Sequence, residues 1–488
     1  MRKMTKMTAF LMSCLLIIVM AGCGGNSNEG RSGSGTGTRG LQGTPTDAPA
    51  GSEQSTIMPA PDPNKQSTVV FTMFKNDAYI QDAKKAYEKQ HPNITIDLKY
   101  MIQDGRDDIS GVKLEKFRST MIADFLNGKG PDMIVMDSLP ASKYIGKGLL
   151  ADVSRMMSGD PAFQEEQYFQ NILDNLKDGK GGLYTVPLSF SLSVLMGDQE
   201  TLERSGVKFD DKTWTWNQFN DTGKELSKLD GDRYALVAGD PRYLLSDMIR
   251  ANYSLLVNPV NREAYFDSEF FIHMLEQIKT MEAEKVVSFS VEKDKADSVA
   301  YFTERELHTP YQYFAYIANM KENGANTPKF YEKPKAEGRE PGGYFSTYTN
   351  ISINAKSSVQ PEAWDFLKFL MSGEASAASS WGPDDLTYAG QGYNGTFPIS
   401  KAVYEAKTEK LLQAGEVSTF TDSGTTRVTE EDVRQLESIL LQANHPIADI
   451  DIGVVELFNE SSAFFSGQKS AEAVAKIIQN KATTYLNE

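Results

Sequence analysis

The chain has 488 residues and a formal net charge of −16, with 50 lysines and arginines against 66 aspartates and glutamates. Its composition, 40% hydrophobic and 10% aromatic, can bury large cores, which excludes wholesale disorder, and the length suits roughly two to four domains of about 100–200 residues. The acidic balance argues against a nucleic-acid partner, which requires a basic face. Two early cysteines, Cys14 and Cys23, and four scattered histidines exclude a disulfide framework, a cysteine-ligated zinc and a multi-histidine metal centre. Neither a metal nor a cofactor is expected.

Arg2, Lys3 and Lys6 open the chain, and a 13-residue apolar run from Ala9 to Ala21 follows. Thirteen helical residues rise about 20 Å, short of a ~30 Å hydrocarbon core. The segment therefore reads as a secretion signal and not as a membrane span. Ala21-Gly22-Cys23 resembles the bacterial lipoprotein cleavage box, with Met20 where that box usually carries leucine. The resemblance implies removal of residues 1–22, lipidation of Cys23, and anchoring at the outer face of the cytoplasmic membrane. Residues 24–65 hold no Phe, Trp or Tyr, so they cannot bury enough surface to offset ordering entropy. Residues 23–65 are read as a flexible tether, spanning on the order of 35 Å as a Gly/Ser-type coil. Gly35, Gly37 and Gly40 match GxGxxG, but no strand precedes them and no helix follows, so the match carries no dinucleotide site.

Val69 to Phe74 reads as a buried strand, and Ile80, Ala83 and Tyr87 mark one face of the next helix. His91-Pro92 stops that helix, and Ile94 to Leu98 alternates as a second strand. Leu114, Phe117, Met121 and Phe125 form a helical stripe closed by Asn127-Gly128, and Met133 to Met136 is a third buried strand. This alternation predicts a parallel sheet with helices on its faces. Beyond about residue 190 the texture turns helix-rich. Thr215-Trp216-Asn217-Gln218 has capping-box spacing and opens a helix carrying Phe219, Leu226 and Leu229. Further helical patterns run near 268–285, 361–372, 428–443 and 470–486.

Six segments in order carry a resemblance. Gly128 to Met136 is similar to a "GxxPDxxxx" strand, Gly148 to Val153 to "GLLxDL", and Tyr184 to Met196 to a "YxxPxxxxxxxLxYN" crossover strand. Leu202 to Phe219 is similar to "xxxGxxxPxTWxEF", and Ile351 to Leu370 to "xIxxxSxxPEAAWxFxxFL". The last helix, after Phe465 to Gln468, has the flavour of "GKxSxEEALxxxQ". Together these resemble the sugar-type extracellular solute-binding proteins of ABC importers. The chain departs from the maltose-type branch at Met136, which is often aromatic there, and the family's "GxxAM" strand is not clear around Ala300 to Pro310.

The resemblance implies an α/β, two-lobed, periplasmic-binding-protein-like fold with interlobe crossing strands and a ligand cleft. The crossings fall near 186–191, 343–350 and 396–400. Lobe 1 then holds 66–188 plus 350–396, and lobe 2 holds 191–343 plus 400–488. It further implies a monomer that captures a carbohydrate, an oligosaccharide, by hinge closure. The cargo would pass to the permease subunits of an ABC importer.

In open α/β sheets ligands sit beyond the carboxyl ends of strands. That rule selects Lys75, Asn76 and Asp77 after the first strand, Asp137 and Ser138 after the third, and Ser189, Phe190 and Ser191 at the first crossing. Sugars need aromatic faces for their apolar ring faces, and carboxylates, amides or guanidinium groups for their hydroxyls. Asp240, Arg242 and Tyr243 fall where the maltose branch has an acidic-Pro-aromatic ligand loop, and Tyr311 and Tyr313 loosely where it has stacking tryptophans. Tyr344 and Tyr348 flank the second crossing, and Trp381 follows a helix. Asp137 and Asp240 can equally cap turns, and Tyr311 to Tyr316 can equally form a core strand or helix. Trp216 and Trp364 read as core.

Enzyme motifs are missing: the sequence holds no GxSxG, HExxH or GxxxxGK[ST]. Carboxylate pairs for a glycosidase are uninformative among 66 acidic residues. Asp449 and Asp451 lack the rest of an EF-hand ladder. Two alternatives stay open, a lipid-anchored carbohydrate-active enzyme and the binding component of a surface sugar sensor.

Overall fold

The computed structural model describes residues 58–103, 111–258, 261–292, 295–379, 396–420, 424–448 and 456–487. The signal segment, Cys23, the tether before Met58, Trp381 and the Asp449–Asp451 run lie outside the described residues. The main strands are β1 (Ser67–Lys75), β2 (Ile94–Ile102), β3 (Met133–Val135), β4 (Val186–Asp198), β5 (Tyr234–Val237), β6 (Val287–Ser288), β7 (Ala300–Leu307), β8 (Pro328–Glu332), β9 (Gly343–Ile353), β10 (Phe397–Pro398) and β11 (Ala443–Pro446). The main helices are α1 (Ala78–Gln90), α2 (Gly111–Leu126), α3 (Ala141–Gly146), α4 (Trp216–Leu229), α5 (Pro241–Ala251), α6 (Glu269–Ala283), α7 (Pro310–Glu322), α8 (Gln360–Leu370), α9 (Lys401–Ala414), α10 (Glu430–Leu441) and α11 (Ala471–Asn487).

The eleven strands form one mixed sheet with the path β2-β1-β3-β9-β4-β7-β5-β6; β8 and β10 add to β4, and β11 adds to β9. β1 pairs parallel with β2 and β3, as strand–helix alternation requires. β4 and β9 break the parallel expectation. They are long strands that pair antiparallel with each other from Val186–Ile351 to Ser193–Tyr344. Each changes its outer partners midway. β4 pairs with β10 at Ser189 and Phe190 and with β7 from Leu192 to Gly197. β8 takes its other edge from Val194 onward. β9 pairs with β3 at Ile351 to Ile353 and with β11 at Gly343 to Phe345. A continuous pair of strands thus runs through both halves of the sheet.

Each half has its own apolar packing. On the β1–β3 side, Val69, Phe71, Tyr87, Phe366 and Leu367 are buried between the sheet, α1 and α8. On the β5–β7 side, Phe302, Leu236, Phe219, Leu275 and Ile478 join the sheet to α4, α6 and α11. The segment after residue 400 serves both sides. α9 and α10 bury Tyr404, Leu411, Leu436 and Leu440 with Phe190 and Phe397, whereas α11 packs in the second core.

The loop before α4 is fastened to β8 by polar groups taken out of water. The Trp214 indole donates to the Glu332 carbonyl at 2.9 Å, and the Glu332 carboxylate pairs with Lys335 at 2.7 Å and Lys212 at 3.0 Å. Lys335 is 1% exposed, so either partner left alone would be an uncompensated buried charge. This fastening sets where α4 begins. There Thr215 accepts from the Gln218 backbone while the Gln218 side chain accepts from the Thr215 backbone, completing the capping box. Thr215→Ala should lower unfolding free energy by about 1 kcal/mol, read as a reduced urea midpoint, with Thr215→Ser close to wild type.

Candidate ligand site

The sequence Ser189-Phe190-Leu192 conceals a strict two-residue period: Ser189, Ser191 and Ser193 point to one side of β4, and Phe190, Leu192 and Val194 to the other. Residues directly opposite across an antiparallel pair share a face. The register sets Ser189 opposite Tyr348, Ser191 opposite Ser346, and Ser193 opposite both Tyr344 and Glu306. Leu195 faces Glu304 on β7. One face of the continuous strands is therefore lined with hydroxyls and carboxylates, and the other is core.

At the centre of this face, Glu306 Oε1 accepts from the Ser191 hydroxyl and from the Tyr348 phenol, both at 2.7 Å. The Ser191 and Tyr348 oxygens lie 3.2 Å apart. His308 Nε2 lies 3.7 Å from the other Glu306 oxygen. Burial pushes the His308 imidazole below its ordinary value, against the pull of Glu306, so near pH 7 the ring is neutral. Burial, helped by Glu306, raises the Tyr348 phenol; it stays a protonated donor. Thr396 donates to the Ser189 hydroxyl at the β10 edge.

A cavity of about 210 Å³ continues from this strip. Ser193, Ser346 and Glu306 line its sheet side, and Asp247 and Arg250 of α5 line the facing side. Trp216 and Tyr344, 6% and 3% exposed, also contribute to its walls. Lys333 is paired with Glu304, and burial draws its ammonium below the ordinary range. A larger hollow of about 1300 Å³ surrounds α4 and the loop before it. It is lined by surface ion pairs such as Lys224–Asp221 and by no residue of the polar strip, so it is not the site.

Ser191 and Tyr348 come together at Glu306, and Ser189 and Tyr344 lie on the same face. The other described candidates lie elsewhere. Phe190 is fully buried against Phe169 and Phe397, on the opposite side of β4. Tyr313, 3% exposed, stacks on Phe330 at 4.9 Å on the buried face of α7. Both are core residues. Tyr311 donates to the Ser418 carbonyl at 3.3 Å. Asp77 caps α1 by accepting from the Ile80 backbone, and Asn76 accepts from Gln81. Lys75 is exposed, and the Ser138 carbonyl accepts from Arg118. Asp240 is the N-cap of α5; its carboxylate accepts from the Arg242 backbone and guanidinium, which holds it below the usual carboxylate range. Tyr243 is 68% exposed. The cavity is reached instead by the later turns of the same helix, at Asp247 and Arg250. Trp381 lies outside the described residues. Ser193, Ser346, Glu304, Glu306 and His308 were missed; the serine alternation and the Glu304-Arg305-Glu306 spacing were the available signals.

Asp137 has a different task. Its carboxylate accepts from the backbone of Thr349 and Asn350, each at 2.8 Å, and from the Asn350 amide at 2.9 Å. Thr349 has φ +53°, a left-handed conformation that a β-branched residue rarely adopts. The strain is on the order of 1–3 kcal/mol, while hydrogen bonds to a charged group contribute roughly 1.5–3 kcal/mol each. Three of them outweigh it. Asp137 therefore holds β9 in shape where its partners change from β11 to β3. Asp137→Ala should cost about 2–4 kcal/mol of stability by these magnitudes, measured by denaturant unfolding. Adding Thr349→Gly should recover about 1 kcal/mol of that loss.

The family model for bacterial extracellular solute-binding proteins matches residues 74–377. Among solved structures, the chain is similar to an extracellular solute-binding protein of family 1 from Alicyclobacillus acidocaldarius subsp. acidocaldarius DSM 446. The identity is 18% over 88% of this chain and 100% of that one, with a TM-score of 0.55. It is also similar to the sugar-binding protein MalE from the phytopathogen Xanthomonas citri, at 13% identity over 86% and 97% of the two chains and a TM-score of 0.56. A third likeness is to a cyclic alpha-maltosyl-1,6-maltose binding protein from Arthrobacter globiformis, at 12% identity over 86% and 98%, with a TM-score of 0.51. What these share with the chain is the fold, the two-lobed α/β arrangement of periplasmic-binding-protein-like proteins.

Proposed function

The chain belongs to the bacterial extracellular solute-binding protein family, and from that premise we propose that it captures a carbohydrate, an oligosaccharide, and delivers it to the permease of an ABC importer. The observation that carries the sugar reading is the polar face of β4, β9 and β7, with Glu306 at its centre. Each sugar hydroxyl is both donor and acceptor. It is matched by neighbouring groups of both kinds: serine and tyrosine hydroxyls that do either, and a carboxylate that only accepts. The aromatic rings of Trp216 and Tyr344 offer apolar surface beside those groups, as a sugar's C–H faces need.

The same strands supply the motion. β4 and β9 run without interruption through both halves of the sheet, so the two lobes can turn about them. A ligand touching both lobes favours the closed arrangement by its differential affinity for it. We take the lobes as 66–188 with 350–396 and 191–343 with 400–488, and the lipidated Cys23 with its tether as the membrane attachment. No bond is made or broken in this role. Among the described residues no helix is long and apolar enough to cross a membrane.

The test is thermal unfolding of the mature chain against mono- and oligosaccharides. A ligand at 100 times its dissociation constant stabilises by about 2.7 kcal/mol, which raises the midpoint measurably. The expected result is a shift with one saccharide class and recovery of the sugar intact. Glu306→Gln should weaken that binding by about 10- to 100-fold in calorimetry, the equivalent of about 1.4–2.7 kcal/mol. A flat response to every saccharide would sink the carbohydrate reading.

A further inference from the structure

We propose that the cavity under α5 seats a single uncharged sugar ring at one end of the ligand, gripped by Asp247 and Arg250, and that it refuses hexuronic acids. This rests on the carbohydrate reading above and narrows it. The cavity, about 210 Å³, falls below the ~300–1,000 Å³ typical of sites for drug-sized ligands. It has room for one ring and not for a chain, so the rest of an oligosaccharide must extend along the strip past Glu306.

The lining shows which groups are free to hold that ring. Glu304 is neutralised by Lys333. Arg305 turns away, to Asp297 at 2.5 Å and over the Tyr316 ring. Arg250 uses its Nε on the Ala448 carbonyl at 3.1 Å, and its terminal nitrogens have no hydrogen-bond or ion-pair partner among the described residues. Asp247, one helical turn earlier, likewise has none there, and the two do not pair with each other. Tyr344 contributes to the cavity wall, and its hydroxyl is buried with no hydrogen-bond partner among the described residues. Burial raises that phenol to about 12, so it remains an O–H donor near neutral pH.

These groups define the ligand by charge. Beyond the Glu304–Lys333 pair, whose ammonium also feels the charges of Asp247 and Arg250, the lining sets two carboxylates, Asp247 and Glu306, against one guanidinium, Arg250, while Arg305 is held by Asp297. A neutral ring can donate hydroxyls to both carboxylates and accept from Arg250. A hexuronate would bring a third carboxylate to the same space, and its like-charge repulsion in a partly dry site acts as rejection.

Calorimetry on the mature chain tests this with the saccharide that raises its melting midpoint most, and with the same saccharide oxidised at its terminal ring to the hexuronic acid. The neutral form should bind at least about tenfold tighter. Asp247→Asn and Arg250→Gln should each weaken it at least about tenfold. Because Asp247 makes no hydrogen bond or ion pair among the described residues, Asp247→Asn should leave the unliganded midpoint near wild type, which separates lost contact from lost fold. In Asp247→Asn the preference over the hexuronate should shrink. Equal or tighter binding of the hexuronate overturns the proposal. So does unchanged affinity in both variants when Glu306→Gln still weakens binding, an outcome that leaves the carbohydrate reading standing. If no saccharide binds at all, both fall together.

Discussion

The two-residue period of β4 is the constraint on which the rest of this protein depends. A strand gives each residue one of two faces. Here one face carries Phe190, Leu192, Val194 and Met196 into the core, and the other carries Ser189, Ser191 and Ser193 to the ligand site. A register slip of one residue would turn the serines into the apolar core and the phenylalanine onto the polar face. Burying a side chain of that size contributes roughly 1.5–3 kcal/mol, and each serine hydroxyl taken into an apolar core without a partner costs a similar amount. The hydrophobic packing that fixes the register thus also fixes the site. No separate device is needed to aim the hydroxyls.

Charge is placed to respect that arrangement. Buried ions are costly unless paired, and the second half of the sheet contains several. Glu332, Lys335 and Lys212 form one group and Glu304 with Lys333 another. Both groups gather at β8 and the end of β7, next to the cavity. Pairing engages all five of those charges before a ligand arrives. It also ties the Trp214 loop to β8, which positions Trp216 at the cavity wall. The chemistry offered to a ligand is consequently what the pairing leaves over, and those leftover groups sit on α5 and on the central strip.

Much of the frame can be read directly from local rules. Thr215 and Gln218 announce a capping box and form one, and the apolar stripes near 268–285, 361–372, 428–443 and 470–486 mark α6, α8, α10 and α11. In the first half, β1 and β3 are plain from their apolar runs and β2 from its alternation, with Thr95 and Lys99 facing outward. β7 is hidden for the opposite reason. Thr303, Glu304, Arg305 and Glu306 read as a solvated loop, yet they form a strand whose polar groups meet Lys333, Asp297, Ser191 and Tyr348 across distances in sequence that no local pattern shows. Asp240 and Asp137 illustrate the same limit. An aspartate before Pro241, or after a strand, looks the same whether it waits for a ligand or satisfies backbone donors. Only the fold shows that Asp240 caps α5 and pairs with Arg242, and that Asp137 reaches 212 residues along the chain to Thr349.

That long reach also bears on the closure proposed above. A hinge made of two extended strands would bend diffusely if every residue sat in an unstrained conformation. Thr349 does not, at φ +53°, and its backbone and that of Asn350 are held by one carboxylate from the loop after β3. The clamp lies in the half of the sheet that includes β1 to β3, while Tyr348, one residue before, reaches to Glu306 in the other half. In the closure proposed above, residues 348 and 349 mark the point on β9 where the backbone departs from strand geometry, with the Asp137 clamp on one side and the Tyr348–Glu306 contact on the other. A ligand engaging Tyr348 and Glu306 would act beside that clamp, and β4, which pairs with β9 across the same stretch, would have to follow the movement.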